Sequence, residues 1–150
     1  MKTVLVISYY WPPAGGPGAI RLAKFAKYLP EFGWQPLVLT VKKGEFPYRD
    51  TSLHREVRQI PVFRTPAPDP FRFYKKITGK KAGEALPVGL LIRPKNGLLE
   101  RIAGAVRANV FIPDARIGWV PFAIRRARQL AEKYPIELIF VSSPPHSSQL

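Results

Sequence analysis

The sequence predicts an α/β domain built on an open, doubly wound parallel sheet. Short β-branched apolar runs occur without polar alternation, the signature of strands covered on both faces. A strand, glycine-rich loop, helix and strand follow one another within about forty residues at the start of the chain, which is a βαβ unit. Amphipathic stripes at helical spacing fall between the apolar runs.

Residues 3–8, Thr-Val-Leu-Val-Ile-Ser, form the first buried strand, and the turn-rich stretch Trp11 to Gly18 follows it. Leu22, Phe25, Ala26 and Leu29 recur at i, i+3, i+4, i+7, with Lys24 and Lys27 on the wet side; Pro30 and Gly33 end this helix. Pro36 to Val41 is the second strand, joined to the first by a crossover of right-handed sense. A third strand is expected at Ile60 to Thr65, closed by Pro66, Pro68 and Pro70. Residues from about 66 to 118 form an insertion, since an αβ connection normally takes roughly 2–6 residues. It carries the basic run Arg72, Lys75, Lys76, Lys80 and Lys81, then Leu98, Leu99, Ile102, Ala103, Val106 and Val110 at helical spacing. The clearest helix starts near Trp119, with Val120, Ala123, Ile124, Ala127, Leu130, Ala131 and Tyr134 on one face and Arg125, Arg126 and Arg128 outward. Pro121 is tolerated in its first turn, Pro135 stops it, and Ile136 to Ser142 is the fourth strand. Ser147 to Leu150 reads as the first turn of another helix, so the chain is expected to be an incomplete N-terminal portion.

Composition narrows the function classes. The 150 residues are 46% hydrophobic, which excludes a disordered or fibrous chain. Cysteine is absent, which removes disulfides, thiolate metal sites and cysteine nucleophiles. Against 10 acidic residues stand 24 basic ones, a formal charge of +14 that calls for an anionic partner: nucleic acid, a phosphorylated ligand or an acidic membrane surface. The uncharged run Thr3 to Ile20 holds three prolines and three glycines, so it is no spanning helix. Val4 to Ile7 is too short for the apolar part of a signal peptide.

Ligands of a doubly wound sheet sit beyond the carboxyl ends of its strands, here at residues 9–18 and 142–148. With the usual strand order the first and last strands are neighbours, and both loops face one crevice. Gly15, Gly16 and Gly18 let a ligand approach the main chain, and the helix they open directs free N–H groups and its positive dipole end at a phosphate. Gly16-Pro17-Gly18-Ala19-Ile20-Arg21 supplies two glycines of a dinucleotide fingerprint, but Arg21 replaces the third small residue and no acid ends the second strand. Lys42 and Lys43 there leave NADP binding by an oxidoreductase domain as an alternative; the plainest alternative is a tight turn without a ligand.

Tyr9 to Arg21, Tyr-Tyr-Trp-Pro-Pro-Ala-Gly-Gly-Pro-Gly-Ala-Ile-Arg, resembles the first loop of family 4 glycosyltransferases, the retaining GT-B group. Glu31 to Thr40, Ile112 to Trp119 and Ser142 to Ser147 are similar, in the same order, to that family's entry to strand two, its P-D-x-R-x-G-W stretch and its S-x-P-P-H loop. The resemblance is weakest over residues 42–111. It implies the Rossmann-like, acceptor-side N-terminal half of a GT-B fold, with the C-terminal donor-binding domain absent and the fragment alone inactive. It also implies transfer of a sugar from a nucleotide sugar to a glycan or lipid-linked acceptor, without metal or cofactor. Gly15, Gly16 and Gly18 would then meet the donor diphosphate, and Arg21, Asp114, Arg116 and Trp119 would line the acceptor side. For the last three, local pairing of Asp114 with Arg116 and packing of Trp119 under the helix are the alternative. His146, the histidine at a strand-end loop, is the candidate catalytic group, with the main catalytic groups expected beyond residue 150. The basic insertion implies contact with anionic lipid, at about 1 kcal/mol per basic residue, and a cytoplasmic protein peripheral to the inner membrane face. A basic module without enzymatic activity, for nucleic acid or membrane, is the remaining alternative; no nucleic-acid recognition module is visible.

Overall fold

A computed structural model of the chain describes residues 1–44, 46, 48–67, 114 and 116–150. The expected basic run at 72–81 and helix at 98–110 lie outside the described residues. The elements are β1 (Lys2–Ile7), α1 (Pro17–Tyr28), β2 (Trp34–Val41), α2 (Thr51–Glu56), β3 (Val62–Thr65), α3 (Val120–Lys133) and β4 (Ile136–Val141). Short 3-10 turns occupy Leu29–Phe32, Ile117–Trp119 and His146–Gln149.

The four strands form one parallel sheet in the order β3-β2-β1-β4. Side chains alternate across a strand, so β1 feeds two cores. Val4 and Val6, with Val38 of β2, pack under Leu22, Ala23 and Ala26 of α1 and Leu53 of α2. Leu5, with Leu37, Leu39 and Val41, packs under Ala123 and Leu130 of α3 and against Trp119. Helices therefore cover both faces, which explains why the β1 and β2 sequences do not alternate.

Pro17 opens α1, where its missing N–H costs no hydrogen bond. Gly33, at φ 79°, closes the following 3-10 turn in the left-handed conformation, and its N–H reaches back to Pro30 O at 3.0 Å. Lys24 and Lys27 of α1 both reach Glu56 Oε2 on α2, at 2.6 and 3.0 Å, which joins the two helices on that face.

Several elements differ from the sequence expectation. Helix α2 is unanticipated; its start is fixed by Asp50, whose Oδ1 accepts the Leu53 N–H at 2.9 Å. Phe25, expected in the core stripe, is 42% exposed and lies against Phe140 of β4, with ring centroids 4.8 Å apart. Ala19 and Ala23 take the buried places instead. On α3 the buried positions narrow to Ala123 and Leu130, and Ile124 is 41% exposed. One cause covers Phe25 and Ile124: β4 is the outer strand of the described sheet, and its Leu138 and Ile139 stand about half exposed on alternate faces. No helix among the described residues is long and apolar enough to cross a membrane.

Candidate functional site

The carboxyl ends of β1 and β4 lie side by side, with Ile7 opposite Val141, so the loops after them share one crevice. Ser142 N–H continues the pairing to Ile7 O at 3.2 Å.

The loop after β1 is held from several sides. Ser8 N–H donates to Leu39 O, and the Thr40 hydroxyl donates to Tyr9 O at 3.1 Å. Trp11 is buried among Val4, Val6 and Leu22, and its Nε1 has no acceptor among the described residues. The half-buried Arg64 of β3 donates through one nitrogen to Pro12 O at 2.9 Å and through the other to Val41 O at 3.3 Å; burial lowers its pKa from the ordinary arginine value. The chain after β2 folds back over the loop. Asp50 N–H donates to Pro13 O and Gly15 N–H donates to Tyr48 O, both at 2.9 Å.

The three glycines are not equivalent. A Cβ on Gly15 would stand 3.2 Å from Tyr48 Cβ, so Gly15 allows that segment to close down, and its amide is already bonded. Gly16 sits at φ 95°, ψ 166°, a region essentially restricted to glycine, and caps α1 with no side chain. A Cβ on Gly16 or Gly18 would meet nothing within 4 Å. The amides of Gly16 and Gly18 have no acceptor among the described residues, so the start of α1 keeps free main-chain donors.

Arg21, exposed in the second turn of α1, crosses the crevice. Its guanidinium donates to Ser142 Oγ at 2.8 Å and Ser143 O at 3.2 Å. His146 is exposed at the start of the last 3-10 turn, with Nδ1 3.1 Å from Ser143 Oγ. Arg21, Ser143 and His146 thus form a polar chain beside the glycine loop.

Asp114 anchors the same loop. Its Oδ2 accepts the Ser147 N–H at 2.8 Å; its Oδ1 accepts the Ser147 hydroxyl at 2.9 Å and the Arg116 N–H at 2.8 Å. Burial pushes the Asp114 carboxyl up, but these donated bonds together outweigh it and hold it below the usual carboxylate range. Arg116 does not pair with Asp114 through its side chain; its guanidinium lies 5.1 Å over the Tyr9 ring. Trp119 is 1% exposed, packs edge-on against Tyr9 and donates from Nε1 to Thr65 Oγ1 at 2.7 Å. Its position is that of a core residue linking the start of α3 to the end of β3.

Arg21 and His146 are thus joined through Ser143, Gly16 and Gly18 open the helix that carries Arg21, Asp114 holds the His146 turn through Ser147, and Trp119 is buried. Arg64, Tyr48 and Asp50 shape the crevice without having been singled out by the sequence. Arg64 is one arginine in a four-residue strand, and Tyr48 and Asp50 act on the loop through main-chain groups that carry no residue-type signal. No group of three or more His, Asp or Glu suited to a metal ion occurs among the described residues. An open groove of ≈ 180 Å³ lies between the ends of β1 and β4, the start of α3 and the last 3-10 turn, lined among others by Ile7, Val141, Trp119, Ala123, Ser147 and Leu150. No protein-family profile, no curated protein and no solved structure matches the chain.

Proposed function

We propose that the chain is the Rossmann-like, acceptor-side domain of a GT-B glycosyltransferase that moves a sugar from a nucleotide diphosphate to a glycan or lipid-linked acceptor. The observation that supports this reading is the start of α1: a Cβ on Gly16 or Gly18 would meet nothing within 4 Å, and Arg21 of the same helix bonds the loop that carries His146. In such a transfer the bond from the sugar's anomeric carbon to the diphosphate oxygen breaks, a bond to the acceptor hydroxyl oxygen forms, and that hydroxyl's proton passes to a base, for which His146 is the candidate. The diphosphate leaves with added negative charge. Fixed N–H donors aimed at that charge stabilise it at about 2.7–4 kcal/mol per donor. The helix dipole and the Arg21 guanidinium add field of the same sign. In this reading His146, exposed on the loop after β4, would meet the acceptor hydroxyl, while Gly15, whose amide is bonded to Tyr48 O, shapes the loop.

The test is ¹⁵N NMR of the chain titrated with uridine diphosphate, inorganic pyrophosphate and NADPH. The reading expects the Gly16, Gly18 and Ala19 amides to shift with the diphosphates. Amides that stay still at millimolar diphosphate overturn it, and a response to NADPH alone assigns the crevice to a nicotinamide dinucleotide.

A further inference from the structure

The loop that carries His146 is fastened at both ends. At one end Ser142, 7% exposed, is held by Arg21 and by the Ile7 carbonyl. At the other Ser147, 1% exposed, gives both its amide and its hydroxyl to Asp114, thirty-three residues earlier in the chain. Between them His146 is exposed, and Pro145 next to it is buried.

The Asp114 carboxylate therefore does for the His146–Gln149 turn what a capping residue normally does from within its own turn. Pro145 sits at the cap position and has no side chain that can accept a hydrogen bond. The Ser147 amide, second in the turn, would otherwise be a buried donor without a partner. The third bond, from Arg116 N–H, ties the same carboxylate to the residues that lead into Trp119 and α3.

We infer that Asp114 is a positioning residue for His146: it acts from behind the loop, capping the turn in trans, and fixes where the imidazole stands over the crevice. This assigns Asp114 a role other than substrate contact. What His146 does once placed rests on the transferase reading; the anchoring itself does not.

The experiment is NMR of the full 150-residue chain and its Asp114→Asn and Ser147→Ala variants. The chain has two histidines, so His54 on α2 serves as internal reference. In Asp114→Asn an NH₂ donor replaces one acceptor oxygen and faces other donors. The Ser147 amide should then exchange about tenfold faster or more, the loss expected for a hydrogen bond to a charged acceptor. The His146 ring signals should move toward those of an unstructured histidine while His54 stays in place. Ser147→Ala keeps the amide–carboxylate bond and should give a smaller shift of the same sign. Unmoved His146 signals in a folded Asp114→Asn chain overturn the inference. If that variant does not fold, unmoved His146 signals in Ser147→Ala overturn it. Adding uridine diphosphate to the unsubstituted chain separates the two readings. Silence at Gly16 and Gly18 with a loosened His146 in the variant refutes the transferase reading and supports the anchor.

Discussion

Alanine at Gly16 and alanine at Gly18 are chemically the same change two residues apart, yet they should act in opposite directions. Gly16 lies at φ 95°, ψ 166° with nothing within 4 Å of a Cβ, so the penalty of Gly16→Ala is backbone strain alone, about 1–3 kcal/mol. Gly18 lies in the first turn of α1 with the same open space and no positive φ. Gly18→Ala should stabilise the fold by about 0.4–1 kcal/mol, because it restricts the unfolded chain and strains nothing. The two variants then differ by about 1.4–4 kcal/mol, at roughly 2–4 °C of melting temperature per kcal/mol for a chain of this size. Urea and thermal unfolding measure that difference, and calorimetry with uridine diphosphate measures the rest. The added methyl at Gly18 occupies the space before the helix, so diphosphate affinity should fall by about tenfold, 1.4 kcal/mol, while stability rises. Destabilisation by both variants would refute the assignment of strain to Gly16 alone. A stabilised Gly18→Ala chain that binds diphosphate as tightly as the unsubstituted chain would show that the glycines serve only the turn.

Other outcomes follow from the same geometry. Trp119→Phe strips Thr65 Oγ1 of its buried donor and should cost about 1–3 kcal/mol beyond the lost volume. Trp11→Phe removes a donor that has no acceptor among the described residues and should cost less; the reverse order in urea midpoints contradicts this. Arg21→Met keeps the aliphatic stem and loses the bonds to Ser142 and Ser143. It should change stability by about 0.5 kcal/mol or less while weakening diphosphate binding, and a melting shift without a binding change would count against a ligand-facing Arg21. The bonds from Lys24 and then Lys27 lower the Glu56 pKa from its ordinary value. A carboxyl lowered on folding stabilises above its unfolded pKa, and that contribution is lost as pH falls through the folded one. Stability should therefore drop on acidification through and below the usual carboxylate range, and Glu56→Gln should flatten that part of the profile in unfolding experiments run across pH.

Much of the frame is legible in the residues because it follows from local periodicity. The unbroken apolar runs of β1 and β2 require cover on both faces, and α1 opens at Pro17 while α3 carries Pro121 in its first turn, where the missing N–H is harmless. The third strand is shorter than expected, Val62–Thr65: Ile60 N–H still closes a turn to Val57 O, while Pro61 O already accepts the Val38 N–H of β2. Helix α2 was not legible, because six residues give too little period; its cap, Asp50, is visible only once its bond to Leu53 is.

The residue types of the crevice are likewise written in the sequence: glycines that open the helix, an arginine on it, a histidine after the last strand. Which of them can meet a ligand depends on partners far along the chain. Gly15 is closed by Tyr48, Trp119 is drawn inward by Thr65, and Asp114 turns away to hold Ser147. Local sequence fixes period and backbone freedom, which depend on near neighbours. The direction and partnership of a polar side chain depend on distant segments that meet only when the sheet assembles, and only the tertiary structure decides them.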